Sequence, residues 1–388
     1  MPVGKNNLSE RLNLKRFRQI DKTLLIVMLL IVCYGILNIY IATKGGVFPV
    51  LGPYYFAKKQ LIWFIISIVA MLVILFIDYK TILRFAPALY IFSIILLLLV
   101  WVPGIGKDVN GGTGWIDLKI GLFQPSELAK ITMTLMVAKK IDEFDGNINN
   151  LKNMLHILLY AAIPMILILL EKDMGMTMVS FFMLLGMLYI AGLDRRIIIG
   201  GFTLLVVGIT IAWNTGLILD HQKSRLTAFM NQDADDVSSD GYQLNQGIIG
   251  IGNGGLGGVR VSLDADVSPG YAGSNVPEVQ TDFIFSAVAE QWGFIGAVFL
   301  LVLYAILIIR MILIAKRSKE RDRSIVCIGI VSYFLYAITQ NIGMTLGLMP
   351  ITGITLPLVS YGGTSLLFTV IAVALVLNIG MNNKKIIF

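Results

Sequence analysis

The stretch LLIVMLLIVCYGILNIYIAT, residues 24–43, runs for twenty residues without a charge. At 1.5 Å per residue such a helix covers about 30 Å, the hydrocarbon thickness of a bilayer. Lys5, Arg11, Lys15, Arg16, Arg18 and Lys22 precede it. The run is too long for the core of a secretory signal, so it reads as an uncleaved first membrane span after a cytoplasmic tail, residues 1–23. Working outward, the same signature recurs at 61–77, 85–102, 154–170, 174–193, 197–219, 325–348 and 364–381. Two segments qualify less cleanly, because 283–309 contains Glu290 and 125–141 is interrupted early by Glu127 and Lys130. With both counted, the expected fold is an all-α polytopic membrane protein: ten transmembrane helices in one domain over 24–381, then a short tail, 382–388.

Composition agrees. Of 388 residues, 56% are hydrophobic and 14% charged, with a mean hydropathy of +0.80; a soluble domain carries about a quarter charged residues. The net charge of +7 gathers near expected span ends, which suits membrane topology and anionic lipid rather than nucleic acid. Cys33 and Cys327 lie in apolar runs and His156 and His221 are far apart, so neither a disulfide framework nor a metal site built on histidine is expected.

Lysine and arginine placement sets the orientation. With the N-terminus inside, the cytoplasmic face receives the basic tail, Lys80 and Arg84, Lys139, Lys140 and Lys152, Arg195 and Arg196, and the cluster from Arg310 to Arg323. The C-terminus then also lies inside. Lys44, Lys58 and Lys59 run against this pattern. The longest connection, 220–282 between spans 7 and 8, falls outside and carries Asp233, Asp235, Asp236 and Asp240. A divalent cation is open to these carboxylates by residue type, but EF-hand spacing is absent and a solvated acidic loop is the simpler expectation. No other cofactor is implied. The run GIIGIGNGGLGG, 247–258, lacks a P-loop lysine and a strand–helix context, so it reads as flexible or close-packed membrane-surface backbone rather than a nucleotide loop.

Three segments carry candidate chemistry. In VPEVQTDFIFSAVAEQWGFIG, 276–296, Asp282 either caps the following helix or acts as a base, and Glu290 lies two turns deeper. An acid at that depth faces a cavity or is structurally paired. In FQPSELAK, 123–130, Glu127 and Lys130 are three apart and pair on one helix face; the functional alternative has Lys130 facing an external cavity and an anionic group. The Gly- and Pro-dense GLMPITGITLPLVSYGGTS, 347–365, either walls the same cavity or is a surface turn.

QPSELAK, PEVQTDFIF and the 347–365 segment, in that order, resemble the SEDS family (shape, elongation, division and sporulation: RodA, FtsW, SpoVE) over nearly the whole chain. The resemblance implies a peptidoglycan glycosyltransferase that polymerises lipid II on the outer face of the bacterial cytoplasmic membrane, beside a class B penicillin-binding protein. It implies Asp282 as general base. Lys130 and then Arg225 are implied as candidates for the leaving-group charge, with Glu127 orienting Lys130 and Trp115 near the cavity. Glu278 and Glu290 match further motif acids. Departures are Gly114 where the family often has a basic residue, Gln280 for a histidine, Lys172 for a proline in EKDMG, and GVR after GGL, where Arg260 stands in for a lysine. FIDYK, 76–80, and RFRQID, 16–21, resemble the elongation branch. From residues alone, a lipid II flippase or other transporter and a non-catalytic scaffold for the transpeptidase stay open beside the polymerase.

Overall fold

A chain in lipid must satisfy its backbone polar groups internally, which favours helices. The computed structural model describes residues 17–45, 51–109, 112–118, 121–201, 203, 207, 239–259 and 262–382. Three helices open the chain: α1 (Lys22–Thr43), α2 (Tyr55–Phe76) and α3 (Tyr79–Leu99). An antiparallel sheet follows, β1 (Gly106–Val109), β2 (Gly112–Asp117) and β3 (Leu122–Phe123), in that spatial order. Then come α4 (Pro125–Glu143), α5 (Leu151–Leu170), α6 (Met174–Ile190), α7 (Ser239–Gly254), α8 (Tyr271–Asn275), α9 (Ile284–Arg317), α10 (Arg321–Thr345) and α11 (Gly363–Asn382). Residues 195–201 are helical as well.

The sheet corrects the all-α expectation. Its strands are short and glycine-rich, and period-2 patterning is too brief there to register. Among the described residues α1, α2, α3, α5, α9, α10 and α11 are long and apolar enough to cross a membrane. Helix α4 is not, because it need not face lipid. It contacts α3, α5, α6, α10 and α11, and residues 125–138 are buried with the single exception of Leu128. Most of the expected seventh span, 197–219, lies outside the described residues.

Polar side chains close the helix ends. Asp21 accepts from the Leu24 N–H at 3.0 Å and from Arg310 Nε of α9 at 3.1 Å, fixing the start of α1 to the end of α9. Asp78, Asn150 and Asp173 accept first-turn amides of α3, α5 and α6. Asn378 on α11 donates to the Ile74 carbonyl of α2 and to the Ile77 carbonyl just past its end, at 2.6 and 2.7 Å. These contacts gather the α1 and α3 N-termini and the α2 and α11 C-termini at one face.

Helix α9 is broken at Gly293 (φ 65, ψ −165). The glycine run after α7 fills the break. Val259 N–H donates to the Glu290 carbonyl at 3.0 Å, while Phe294 and Ile295 donate to Gly255 and Leu256 at 2.9 and 3.2 Å. A Cβ on Gly258 would lie 2.3 Å from the Gln291 carbonyl, and one on Gly293 2.3 Å from Gly258 N. Gly254 and Gly258 are thus close-packed against α9, whereas Gly252, Gly255 and Gly257 border open space.

Candidate active site

The three sequence segments converge at the opposite face of the bundle. Tyr361 N–H donates to the Gln280 carbonyl at 2.7 Å. One amide nitrogen, Asn341 Nδ2 of α10, reaches both the Asp282 and the Ile354 carbonyls at 2.7 Å. Gln340 Nε2 donates to Pro350 O at 2.8 Å, and Gln60 of α2 donates to Ser360 O at 2.9 Å. The irregular 347–362 backbone is thus held by buried amides and wraps the 277–283 turn, and those amides satisfy carbonyls that a helix would otherwise pair.

Asp282 is half-buried. Glu278 adopts a left-handed φ of 50°, and the turn closes when Thr281 N–H donates to its carbonyl at 3.0 Å. The Thr281 hydroxyl lies 2.8 Å from that same carbonyl and 3.0 Å from Asp282 Oδ1, so it donates to one at a time. Phe283, not Asp282, occupies the cap position of α9. Asp282 Oδ2 faces Gly353, 3.9 Å from where a Cβ would stand. Glu278 itself is exposed and accepts from Gln280 Nε2 at 3.1 Å.

Beyond Gly353 the loop rests on α6: a Cβ on Gly175 would lie 2.8 Å from Thr352 O. Asp173, two residues before it, accepts from Gln124 Nε2 and from Met176 N–H, each at 2.9 Å. Gln124 precedes α4, whose proline start places Glu127 in the first turn. Lys130 Nζ is 2.6 Å from Glu127 Oε2, with side chains 1% and 4% exposed. The ammonium also sits 3.9 Å from the Tyr333 ring centroid, and the Tyr333 hydroxyl meets Thr369 Oγ1 at 2.8 Å. Lys130 is therefore buried inside the bundle rather than lining an open external cavity, because a lone ammonium there needs its carboxylate and an aromatic face.

Glu171, between α5 and α6, is fully buried and neither carboxyl oxygen has a hydrogen-bond partner. Burial first, and the Asp173 charge second, push its pKa up to about 8. Gly114 of β2 packs on it, a Cβ there falling 3.0 Å from Glu171 Oε2. The position that often carries a basic residue in the family thus presents bare backbone to an acid. Strand alternation then turns Trp115, half-buried, to the other face of the sheet.

Glu290 is 2% exposed and accepts from Tyr271 N–H at 2.6 Å and Ala272 N–H at 2.7 Å. Its partner is the start of α8, not a basic side chain, which supports the structural-pairing reading. Arg225 and Arg260 lie outside the described residues, as do Asp233, Asp235 and Asp236. Sequence reasoning missed Asn341, Tyr333 and the placement of Asp173. The adjacent polar pair Gln340–Asn341 within an apolar span was the available signal.

Fold and site together define a polytopic membrane protein in which an irregular loop joins a half-buried aspartate to a sealed ion pair at one end of the helix bundle. Residues 21–385 match the family described as cell cycle protein, FtsW/RodA/SpoVE. Stage V sporulation protein E of Bacillus subtilis (strain 168) is 32% identical over 368 residues, 94% of this chain and 98% of that relative. Peptidoglycan glycosyltransferase MrdB of Escherichia coli (strain K12) is 32% identical over 367 residues, 95% of each. Among solved structures, a chain from work on structural coordination of polymerization and crosslinking by a peptidoglycan synthase complex superposes with a TM-score of 0.78 at 27% identity, covering 94% of this chain and 99% of that one. The Thermus thermophilus rod shape determining protein RodA gives 0.69 at 27% identity, covering 94% and 98%. This chain belongs to the FtsW/RodA/SpoVE family.

Proposed function

We propose that this protein is a peptidoglycan glycosyltransferase that polymerises lipid II into glycan strands on the outer face of the cytoplasmic membrane. The observation that carries the reading is the Asp282 carboxylate, held at its main chain by Asn341 and aimed at Gly353 of the 347–362 loop. In the proposed step Asp282 takes the proton of the acceptor sugar's 4-hydroxyl. The oxygen attacks the donor's anomeric carbon with inversion, and the bond to undecaprenyl pyrophosphate breaks, its electron pair leaving with the pyrophosphate. General-base help of this kind is worth roughly 10²–10⁴ in rate. Leaving-group charge needs a cation. Arg225 and Arg260, on the 220–282 connection, are candidates, and Lys130 serves only where the bundle around it opens.

Ten spans with both termini cytoplasmic complete the proposal, with α4, α6 and the 197–219 segment added to the seven apolar helices. A class B penicillin-binding protein is the proposed partner, since one structural neighbour comes from a synthase complex that couples polymerization to crosslinking. The buried Glu127–Lys130 pair inside the bundle favours a second reading, lipid transport, because intramembrane ion pairs mark translocation routes. Reconstitution with labelled lipid II separates the two. Glycan chains made by the protein with its transpeptidase support polymerisation; lipid crossing vesicles without polymer supports transport.

A further inference from the structure

The face away from Asp282 carries a cleft of about 520 Å³, lined by Lys80 and Arg84 of α3, Lys139 and Asp142 of α4, and Glu320 and Arg321 where α10 begins. The geometry points to a binding site in this cleft for the phosphate of an anionic phospholipid headgroup.

Charge supports it. Glu320 is already shared between Lys80 at 3.3 Å and Arg323 at 2.8 Å. Arg84, Lys139 and Arg321 have no ion pair among the described residues. Along the cleft four cations, Lys80, Arg84, Lys139 and Arg321, meet three carboxylates, Asp142, Glu320 and Asp322, the last of them 4% exposed. Arg323 Nε is buried without a hydrogen-bond partner. Glu320 gives no side-chain cap to α10, so the positive end of this 25-residue helix faces the cleft, offset in part by Asp322 in its first turn, which takes the Arg323 amide. Guanidinium forks at Arg84 and Arg321 match the geometry of phosphate oxygens.

Place supports a lipid over a soluble ion. The lining residues stand at the ends of three membrane helices, at headgroup depth, and Leu83 adds an apolar wall. On the face where lysine and arginine accumulate, anionic lipid is abundant and drawn to such clusters. The cations come from positions 80–84, 139 and 321, so the convergence belongs to the fold and not to one basic loop.

The test uses the full chain in detergent, titrated with phosphatidylglycerol, phosphatidylcholine or inorganic phosphate, with lipid retention read by native mass spectrometry and stability by thermal unfolding. Phosphatidylglycerol should be retained and should raise the unfolding temperature; phosphatidylcholine should do neither. Arg84→Gln with Lys139→Gln should weaken phosphatidylglycerol retention at least about tenfold, the least expected from losing one charge-assisted contact. Lys58→Gln with Lys59→Gln, on the opposite face, should not change it. If the double variant at the cleft fails to fold, Arg84→Gln and Lys139→Gln are read singly and each should weaken retention about tenfold. Undiminished retention in these variants overturns the proposal. So does stabilisation by inorganic phosphate equal to that by the lipid, which would assign the cleft to a soluble phosphate.

Discussion

Lys130 and Glu127 show at the residue scale how burial converts a charge pair from ornament to necessity. Removing one partner strands the other charge, at a cost of about 3–5 kcal/mol. Lys130→Met should therefore lower the unfolding temperature strongly, while Glu127→Gln with Lys130→Met should recover most of it. If polymerisation stays lost in the recovered double variant, Lys130 acts in the reaction; if it returns, the pair is structural. Glu171 gives a pH prediction. Its folded pKa is raised to about 8, above the ordinary carboxyl range, so the unfolded chain ionises first as pH rises. The fold then loses stability between roughly pH 4.5 and 8, by up to about 1.4 kcal/mol per unit. Glu171→Gln should unfold at a higher temperature than wild type at pH 8 and at nearly the same temperature at pH 5. Equal behaviour at both would contradict a buried neutral acid.

The break in α9 is the decisive element. Gly293 takes φ 65 and leaves no room for a side chain between itself and Gly258. Gly293→Ala should cost about 1–3 kcal/mol in strain alone and more in displaced contacts, read as a lower unfolding temperature; a neutral result would contradict the packed break. The glycine run was legible as either flexible or close-packed backbone; which glycines pack, and against what, was not, because sequence spacing does not reveal tertiary contact. Helix starts were read too late in α2 and α3, since Lys58 and Lys59 or Lys80 and Arg84 sit in the first turns, where long side chains reach the headgroups. Helix α4 looked weak for the opposite reason. Protein surrounds it, so hydropathy understates it.

At the scale of the whole molecule, the order of the helices and the nearness of the three motifs were legible, because uncharged runs and an ordered motif set survive without contact information. The sheet, the Asn341 clamp and the sealing of Lys130 were not. Each depends on which helices become neighbours. The proposed topology makes its own prediction. In a Cys33→Ser, Cys327→Ala background, single cysteines at Lys58 and Glu278 should label from outside the cell, and those at Arg196 and Lys319 from inside. The reverse pattern would put the candidate site on the cytoplasmic face and end the proposed mechanism.

The most direct measurement is glycan polymerisation from purified lipid II by the Asp282→Asn protein, reconstituted beside wild type with the transpeptidase partner. The two should have the same fold and unfolding free energies within about 1 kcal/mol, as for a substitution at a half-buried site. The variant should form chains at least about a hundredfold more slowly, the lower bound for loss of a general base. Chain formation by Asp282→Asn at the wild-type rate would contradict the assignment of Asp282 as the base.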